Sequence, residues 1–451
     1  MIAVVVSRAD EASVLVGDRL RAVAPWDVRE DTERAESAGG GTYHVRDGFE
    51  LREFDDLHLH LEDVAEWFED PELVVFVSRH AGETGPLLTA HFTGNVGQAE
   101  YGGRANELAR ACPNAHARVL GALDEHVPDG YEVGMECTHH GPSRVGAPSM
   151  FVEVGSTAAQ WRDPAAATAV ARAVLDLDGV GPHRERTVVG FGGGHYAPRF
   201  HRIVRETDWA VGHVLADWAI EAASEPGSDD GGLDPDLIDQ SFERSGATHA
   251  VVDGDRPDLV AAIEDLGYLV VSETWLRETA GVPLDLVERA ESLLCSVEEG
   301  LRFGQRRTGR GAALSVEALH PDLVGAALGV DVGATVRVIE RHSVAYEAAE
   351  AGNRPTGRLC LPAGESPEAI IDSLSAVLEA GGASVERDGE ELVVTETVFD
   401  PALARELGVT EGPAFGRLAA GEPIEVDGET VTPESVHEPR TSRYPIWHSR
   451  S

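Results

Sequence analysis

The amino-acid sequence predicts an α/β fold, a three-layer α/β/α sandwich followed by a smaller C-terminal α+β domain. Short and almost continuous apolar runs, such as residues 2–6, 72–80 and 186–191, are typical of buried parallel strands. Segments with the helical spacing of apolar residues separate these runs up to about residue 275. The length of 451 residues exceeds what one hydrophobic core usually serves, so two domains are expected.

The elements of the first part of the chain follow in a regular order. A strand over residues 2–6 is followed by a helix over residues 9–23. Residues 57–61 (LHLHL) alternate with period two, which predicts a half-exposed strand, although an HxH pair can also bind a metal. Residues 103–126 have helical spacing, with Pro113 as a kink or a break. The other predicted strands are residues 72–80, 87–95, 131–135, 150–155, 186–191, 250–252 and 268–271.

The composition of the sequence changes near residue 280: glycine and acidic turns become more frequent, and the predicted elements become shorter. We therefore expect a catalytic domain over residues 1–280, a helical connection over 281–309 and an accessory α+β domain over 310–451. Within the last part, the predicted elements are a strand (358–362), a helix (367–380), a hairpin (384–397) and a second helix (400–407).

The charge of the chain is extreme. There are 79 acidic residues against 37 basic ones, and all 37 are arginine, giving a net charge of −42. Such a charge would ordinarily argue against a nucleic-acid partner, because binding to nucleic acid depends on neutralising phosphates. An acidic surface without lysine also suits a cytoplasm at molar salt, where the Debye length falls to about 3 Å. We interpret the charge as adaptation to salt, so its sign does not decide the substrate.

The remaining composition indicates a cytoplasmic protein. The four cysteines have no CxxC spacing, so neither a disulfide framework nor a thiolate zinc cluster is indicated. No apolar run approaches the roughly 18 residues of a membrane span, and no membrane partner is expected. The first residues lack the basic region and cleavage site of a signal peptide.

Residues 136–142 (ECTHHGP) gather a carboxylate, a thiol, a hydroxyl and two adjacent imidazoles where a predicted strand ends. Open α/β sheets bind ligands beyond the carboxyl ends of their strands, so this segment is placed for chemistry. We interpret Cys137 as a packing residue whose side chain faces away from Glu136. A solvated histidine pair in a loop is the alternative for His139 and His140.

Polar side chains of the same types end the neighbouring strands. The complete set is Ser78, His80, His91, Glu136, Thr138, His139, His140, Glu153 and His195. Imidazoles and carboxylates together suit Zn²⁺, which takes three or four N/O ligands at about 2.0–2.2 Å, and Mn²⁺ or Fe²⁺ stay open as alternatives. Five imidazoles and two carboxylates are enough for one metal ion or for two, and metal-assisted hydrolysis is the chemistry that this set predicts.

The stretch 192–199 (GGGHYAPR) has two interpretations. The glycines either form a turn, or let the backbone approach an anionic or carbonyl oxygen. The stretch is neither a Walker motif nor a dinucleotide fingerprint. Arg199, with Arg202 and Arg205, could pair with a substrate phosphate or could be ordinary surface charges of a helix.

Five blocks of the sequence carry a resemblance to a known family. They are residues 78–80 (SRH), 88–95 (LTAH and GN), 136–142 (ECTHHGP), 153–157 (EVGST) with Trp161, and 192–199 (GGGHYAPR). In this order they resemble the archaeal and plant type of D-aminoacyl-tRNA deacylase, over residues 1 to about 275. THHGP and GGGHYAPR are the most specific blocks. Cys137 departs from the family pattern, in which a small residue such as alanine is common.

The resemblance implies hydrolysis of the ester that joins a D-amino acid to the terminal ribose of tRNA. It implies one or two zinc ions per chain, and a fold similar to that of phosphorylases and peptidyl-tRNA hydrolases. The implied partner is the tRNA substrate, and we expect a monomer. The alternatives are a zinc-dependent amidohydrolase or nucleosidase acting on a small molecule, and a metal-stabilised RNA-binding module, which is most plausible for residues 310–451.

The expected roles divide the site residues into three groups. The metal ligands are a subset of His80, His91, His139, His140 and His195. The catalytic group consists of Glu136 as general base, His140, and Glu153 as a ligand or as support for an imidazole, and the two glutamates could exchange roles. The expected substrate contacts are Ser78, Asn95, Thr138, Gly193, Gly194, Tyr196 and Arg199, with Tyr196 and Arg199 at the terminal adenosine or its phosphate.

Overall fold

The computed structural model describes residues 1–223 and 233–447. The chain divides into two compact units, Met1–Ala280 and Gly281–Ser451. The predicted α/β class is confirmed, since a large central sheet combines with helices in the first unit. Among the described helices, none is long and apolar enough to cross a membrane.

Twelve strands and nine helices are described in the first unit. The strands are β1 (Ile2–Ser7), β2 (Asp27–Asp31), β3 (Gly41–Arg46), β4 (Phe49–Phe54), β5 (Leu73–Arg79), β6 (Leu87–Phe92), β7 (Glu132–Met135), β8 (Ser149–Gly155), β9 (Thr187–Phe191), β10 (Ala210–Leu215), β11 (His249–Val252) and β12 (Leu269–Val270). The helices are α1 (Glu11–Val23), α2 (Pro113–His126), α3 (Ala158–Trp161), α4 (Pro164–Leu175), α5 (Pro198–Glu206), α6 (Asp217–Ala223), α7 (Pro235–Ser245), α8 (Pro257–Asp265) and α9 (Glu273–Glu278).

The larger sheet has eight strands in the order β2-β3-β4-β1-β5-β8-β6-β7. Its centre, from β4 to β8, is parallel, whereas β6 runs antiparallel to β8 and β7 runs parallel to β6. The ends of β6 and β7 therefore point back toward the start of β8. A second sheet, β10-β9-β11-β12, is parallel throughout.

The two faces of the larger sheet are covered differently. Val6 faces α1, where Gly17 allows close approach: a Cβ on Gly17 would lie 3.0 Å from a Val6 methyl carbon. On this side α4 packs between α1 and α2 and contacts both. Val5 points to the other face and joins a core with Phe76 and Phe151, whose rings stack at 4.9 Å. Loops rather than long helices cover this second face, which leaves room for a cavity.

Two predictions of local structure in the first unit were wrong. Residues 57–61 hold a 3₁₀ turn over His58–His60 and not a strand, and His58 is buried against Phe76 and Phe151. Residues 103–112 are not helical, because α2 begins at Pro113, whose missing N–H costs nothing at a helix start. The apolar residues of 103–112 instead pack as loop side chains, such as Leu108 and Ala109.

The second unit contains six helices and nine strands among its described residues. The helices are α10 (Leu284–Leu293), α11 (Pro321–Val330), α12 (Val332–His342), α13 (Glu368–Ala380), α14 (Pro401–Glu406) and α15 (Pro413–Ala419). The strands are β13 (Leu301–Phe303), β14 (Leu314–Ala318), β15 (Ala345–Ala349), β16 (Arg354–Pro362), β17 (Ser384–Asp388), β18 (Glu391–Phe399), β19 (Ile424–Val426), β20 (Glu429–Val431) and β21 (His437–Pro445).

These strands form three antiparallel sheets, β13-β15-β16-β14, β17-β18-β21 and β19-β20. Helices α11, α12 and α13 pack together, with Leu374 and Leu323 in the shared core. The predicted hairpin over 384–397 is confirmed as β17 and β18. Residues 281–309, assigned from the sequence to a connection, contain α10 and β13, and β13 is an edge strand of the first of these sheets.

Candidate active site

Three neighbouring strands of the larger sheet place polar side chains on its loop-covered face. In the register, Ser78 of β5 lies beside Glu153 of β8, which lies beside Thr89 of β6. His91 is two residues further along β6, beside Phe151. Residues paired across strands share a face, and side chains alternate along each strand, so all of these point the same way as Phe76 and Phe151. Because β6 runs antiparallel to β8, the end of β6 lies beside the start of β8, and His91 therefore lies next to Phe151.

The loop after β7 brings the histidine pair over this face. Glu136 N–H donates to Ala90 O (3.2 Å), Cys137 N–H donates to His195 O (2.8 Å) and Thr138 N–H donates to Val214 O (2.9 Å). The loop thus bridges the larger sheet and the strands β9 and β10 of the smaller one. The predicted convergence of residues from several strands occurs at this junction.

Glu136 lies at the centre of the cluster and is completely buried. His195 Nε2 lies 2.8 Å from Glu136 Oε2, and His139 Nε2 lies 3.9 Å from the same oxygen. Oε1 lies 3.3 Å from His80 Nδ1 but has no hydrogen-bond partner among the described residues. Burial alone would raise the pKa of Glu136, yet the hydrogen bond from His195 together with the nearby His91 and His139 holds this pKa below its ordinary value.

Glu153 is the second buried carboxylate, and its oxygens are more fully engaged. Ser78 Oγ donates to Oε1 at 2.6 Å. His80 Nδ1 lies 3.6 Å from Oε2 and His91 Nε2 lies 3.8 Å from Oε1. Burial would raise the pKa of Glu153, but His80 and His91 bring it well below its ordinary value. Both glutamates are therefore anionic at neutral pH.

Three imidazoles pack against one another beside these carboxylates. The ring centres of His91, His139 and His140 are 4.2 to 4.7 Å apart. Nδ1–H of His91 donates to Phe92 O (2.9 Å), and Nδ1–H of His139 donates to Cys137 O (2.8 Å). These bonds direct Nε2 of both rings toward the cluster, as metal-binding histidines require.

Burial controls the protonation of the histidine pair. Burial and then the neighbouring His91 lower the pKa of His139 to about 3, and burial lowers the pKa of His140 well below its ordinary value. Both rings are neutral at neutral pH, which leaves lone pairs for a cation. Burial would also lower the pKa of His91, but Glu153 outweighs it and raises this pKa.

The donor set fits a divalent metal. Buried ring nitrogens without a hydrogen-bond partner among the described residues include His91 Nε2 and His140 Nδ1, and Glu136 Oε1 is a buried oxygen of the same kind. Two buried anions side by side favour a compensating cation beside them, and His139 and His140 are neutral. In this cluster, three groups have ligand atoms within 4.8 Å of one another: His91, His139 and His140; Cys137, His139 and His195; and His80, Glu136 and Glu153. All five histidines predicted as ligands therefore belong to a group that could hold a metal ion.

Cys137 differs from its sequence interpretation. Its Sγ lies 3.8 Å from His195 Nδ1, while Glu136 contacts Nε2 of the same ring. The two side chains therefore meet one imidazole and do not face in opposite directions, because the strand ends at Met135 and the alternation stops there. Burial raises the pKa of the Cys137 thiol, which disfavours the thiolate that a nucleophile needs.

A cavity of about 640 Å³ opens onto the cluster. Its walls include His139, His140 and Glu153, with Phe151 beneath them. The volume is typical of small-molecule sites, so the cavity admits the end of a larger substrate.

Two of the predicted substrate contacts line this cavity. Ser78 does so while it holds Glu153, and Tyr196 places its hydroxyl 3.2 Å from His80 Nε2. Gly193 lies in the turn before His195: its φ is +77°, and a Cβ there would lie 2.9 Å from Asp253 Oδ2. The turn therefore explains this glycine. Gly194 accepts a hydrogen bond from Ala197 N–H within the same turn (3.1 Å).

The remaining three predicted contacts are engaged within the protein and do not line the cavity. Asn95 Nδ2 donates to Gly102 O at 2.8 Å. Thr138 Oγ1 lies 2.9 Å from His213 Nδ1, which ties the histidine loop to β10. Arg199 donates to Asp253 Oδ1 (3.0 Å) and to Val252 O (3.1 Å), so its guanidinium is occupied.

Sequence reasoning did not find several residues at the site. Arg79 and Tyr101 line the cavity with exposed side chains, and Thr89 flanks Glu153. Arg79 stands between Ser78 and His80, both of which were predicted, so its position was the available signal. Tyr101 lies in an irregular loop, where no periodicity could indicate its direction.

Comparison with known proteins identifies the family. A family model described as D-aminoacyl-tRNA deacylase matches residues 67–271. A D-aminoacyl-tRNA deacylase of Natronomonas pharaonis is 51% identical over 444 residues, covering 98% of this chain and 100% of that protein. Another, of Haloarcula marismortui, is 50% identical over 452 residues, with 99% and 100% covered. The chain belongs to the D-aminoacyl-tRNA deacylase family.

The resemblance carried by the sequence blocks is thereby confirmed, and the family relation extends well beyond residue 275. A crystal structure described as a conserved protein of unknown function is also similar, with a TM-score of 0.55 and 28% identity. It covers 62% of this chain and 98% of its own length.

The position of His80 gives a test of the cluster. A Cβ on Gly155 would lie 2.6 Å from His80 Cδ2 and 2.9 Å from His80 Cβ, so Gly155→Ala must displace the imidazole from both glutamates. We expect kcat for deacylation of D-aminoacyl-tRNA to fall by about 10²-fold, as shifts of about 1 Å at reacting groups do. Gly121→Ala in α2, where a Cβ meets open space, is the matched control. Equal turnover of the two folded variants, with folding checked by circular dichroism, would show that deacylation does not depend on the position of the His80 imidazole beside the two glutamates.

Proposed function

We propose that this chain hydrolyses the ester between a D-amino acid and the 3′-terminal ribose of tRNA, releasing the free D-amino acid and tRNA. The observation that carries the proposal is Glu136, an anionic and buried carboxylate with one oxygen that has no hydrogen-bond partner among the described residues, next to imidazoles that line an open cavity. Membership of the D-aminoacyl-tRNA deacylase family supplies the substrate. A tRNA substrate is consistent with a cytoplasmic location.

We propose Zn²⁺ as the cofactor, one or two ions per chain, with His91, His139 and His140 as one set of ligands. The unpartnered nitrogens of His91 and His140 and the neutral form of His139 support this set. His195 and His80 belong to two further groups of ligand atoms, which would suit a second ion. When bound, the metal would supply Lewis-acid polarisation of the ester carbonyl.

Glu136 acts as the general base in this proposal. Its Oε1 is free to take a proton from the attacking water, while His195 holds Oε2 and keeps the carboxylate in place. Glu153 is less suited to this role, because Ser78, His80 and His91 all surround its oxygens. Glu153 instead orients His80 and His91, as outer carboxylates do for metal-bound imidazoles.

Tyr196 and His80 form the side of the site that faces the cavity. The Tyr196 hydroxyl can donate to His80 Nε2 or turn toward a bound ester, since the cavity reaches both groups. Phe151 under His91 keeps water from the other side of the ring, because the two rings stack at 5.0 Å. Water then reaches the cluster through the cavity, next to the proposed base.

We propose that the catalytic domain comprises residues 1–280 and that the rest of the chain is accessory. All of the residues assigned above to catalysis and metal binding belong to the first unit, and the family model matches residues 67–271 within it. We also propose that the net charge of −42 is an adaptation to molar salt, which agrees with the halophilic sources of the relatives.

The substrate assignment is tested by turnover of D- and L-aminoacyl-tRNA carrying the same amino acid, in molar KCl. We expect release of the D-amino acid to be at least about 10²-fold faster than release of the L-enantiomer, since a factor of ten needs only about 1.4 kcal/mol of discrimination. Equal rates for the two enantiomers, or cleavage of neither, would refute the proposal and favour a hydrolase acting on small molecules.

The metal assignment is tested by bound-metal analysis of His140→Ala. We expect the zinc content per chain to fall and deacylation to be lost, because the variant removes one of three neighbouring ring ligands. His183→Ala is the matched control: His183 is exposed in the loop before β9, does not line the cavity and belongs to none of the groups of candidate metal ligands found among the described residues. Zinc content equal to that of the wild type in His140→Ala would remove His140 from the ligand set.

The role of the base is tested by Glu136→Gln, with Glu132→Gln as the control at an exposed position of β7, the strand that precedes Glu136. The amide cannot take a proton, so we expect kcat to fall by about 10²- to 10⁴-fold. Zinc content should stay near that of the wild type, which separates a base from a ligand. Loss of zinc in Glu136→Gln would instead assign Glu136 to the metal and leave Glu153 as the candidate base.

A further inference from the structure

The cavity has at its mouth a guanidinium that forms no salt bridge with any described residue. Arg79 ends β5, is exposed and lines the cavity. Among the described residues, no carboxylate oxygen lies within 4.0 Å of its guanidinium nitrogens, although most arginines of this acidic chain form such pairs. The carboxylate of Asp10, which also lines the cavity, accepts hydrogen bonds from the backbone N–H groups of Ala12, Ser13 and Arg79.

The position of this guanidinium is set by the ring beneath it. Arg79 Cζ lies 5.2 Å from the centre of the Trp161 ring, a distance typical of cation–π contact. Trp161 Nε1–H donates to His80 O at 2.9 Å, so the ring is fixed to the strand end that carries an active-site histidine. The arginine is therefore held at a defined place beside the cluster, and its side chain is exposed to solvent.

We propose that Arg79 binds the phosphodiester of the 3′-terminal nucleotide of tRNA and so positions the ester over Glu136. This inference rests on the proposed function and names the contact that holds its substrate. A planar guanidinium donates two parallel N–H bonds to phosphate oxygens, and arginine stacked on an aromatic ring is well suited to that task. Tyr101, exposed on the same cavity, offers a face on which the terminal base can stack.

The solvent conditions favour this kind of contact. At molar salt the Debye length is about 3 Å, so distant charges neither attract nor repel the tRNA strongly. Direct hydrogen bonds at contact distance are screened far less. Arg199, the arginine expected from the sequence to meet a phosphate, is bound to Asp253 and Val252 and lies outside the cavity lining. Arg79 takes that predicted role.

The test compares Arg79→Gln with the wild type on two substrates in molar KCl. One is D-aminoacyl-tRNA, and the other is D-aminoacyl-adenosine, which carries the same ester but no phosphate. We expect Arg79→Gln to raise KM for the tRNA substrate by about tenfold, as loss of one charge-assisted hydrogen bond would do, and to leave kcat little changed. KM for D-aminoacyl-adenosine should not change. Arg162→Gln is the matched control, since Arg162 is exposed nearby and pairs with Glu11.

Two outcomes would overturn the inference. Unchanged KM for D-aminoacyl-tRNA in Arg79→Gln would show that the phosphate is not bound there. An equal loss on both substrates would show that Arg79 acts through Trp161 and His80 and not through the phosphate. Failure of the wild type to cleave either substrate would refute the proposed function itself.

Binding of nucleotides separates the inference from turnover. Adenosine 5′-monophosphate should bind the wild type more tightly than Arg79→Gln by about tenfold, and adenosine should bind both alike. Equal binding of the monophosphate to both proteins would overturn the phosphate contact even if deacylation failed. Weaker monophosphate binding with an unchanged KM for D-aminoacyl-tRNA would assign the contact to a free nucleotide and overturn its assignment to tRNA.

Discussion

Two carboxylates buried side by side are the constraint on which the site depends. Glu136 and Glu153 are both removed from water, and each would raise the pKa of the other if nothing compensated them. Burial of an isolated charge costs several kcal/mol, so the structure must supply positive charge or donors at this point. Five imidazoles, one serine hydroxyl and space for a cation supply it. The histidine cluster is therefore the electrostatic partner of the glutamates as much as a set of ligands.

The topology of the sheet makes this meeting possible. If β6 ran parallel to β8, the end of β6 would lie beside Gly155 at the end of β8, away from Phe151 near its start. The reversal of β6 and β7 instead brings His91 to the middle of one face and starts the histidine loop beside it. Bonds from Cys137 to His195 and from Thr138 to Val214 then fix that loop to the second sheet. Thr138 adds to this anchoring through His213 of β10, and Asn95 ties the histidine loop to the loop that contains Gly102, which explains why these polar residues do not reach the cavity.

Sequence patterns predicted the strands and the membership of the cluster better than the direction of individual side chains. Apolar runs such as 72–80 and 150–155 identified buried strands, because hydrophobic continuity depends on burial alone. The strand predicted for residues 57–61 was wrong, since alternation over only five residues also fits a 3₁₀ turn with one buried histidine. The sequence could not indicate the contacts of Arg199 and Cys137, because their partners, Asp253 and His195, come from distant segments of the chain. Such long-range contacts leave no periodic trace in a sequence.

The same reasoning explains why the cavity can serve an anionic substrate within so acidic a chain. A net charge of −42 acts over distances that molar salt removes, whereas catalysis and recognition depend on contacts of a few ångströms. Arginines across the surface pair with carboxylates, as Arg202 does with Glu273, and so contribute little attraction for phosphate. At molar salt, binding of a phosphate therefore depends on the side chains that it contacts directly. At the cavity mouth, Arg79 is held by an aromatic ring instead of a carboxylate, which leaves its donors available where the substrate must enter.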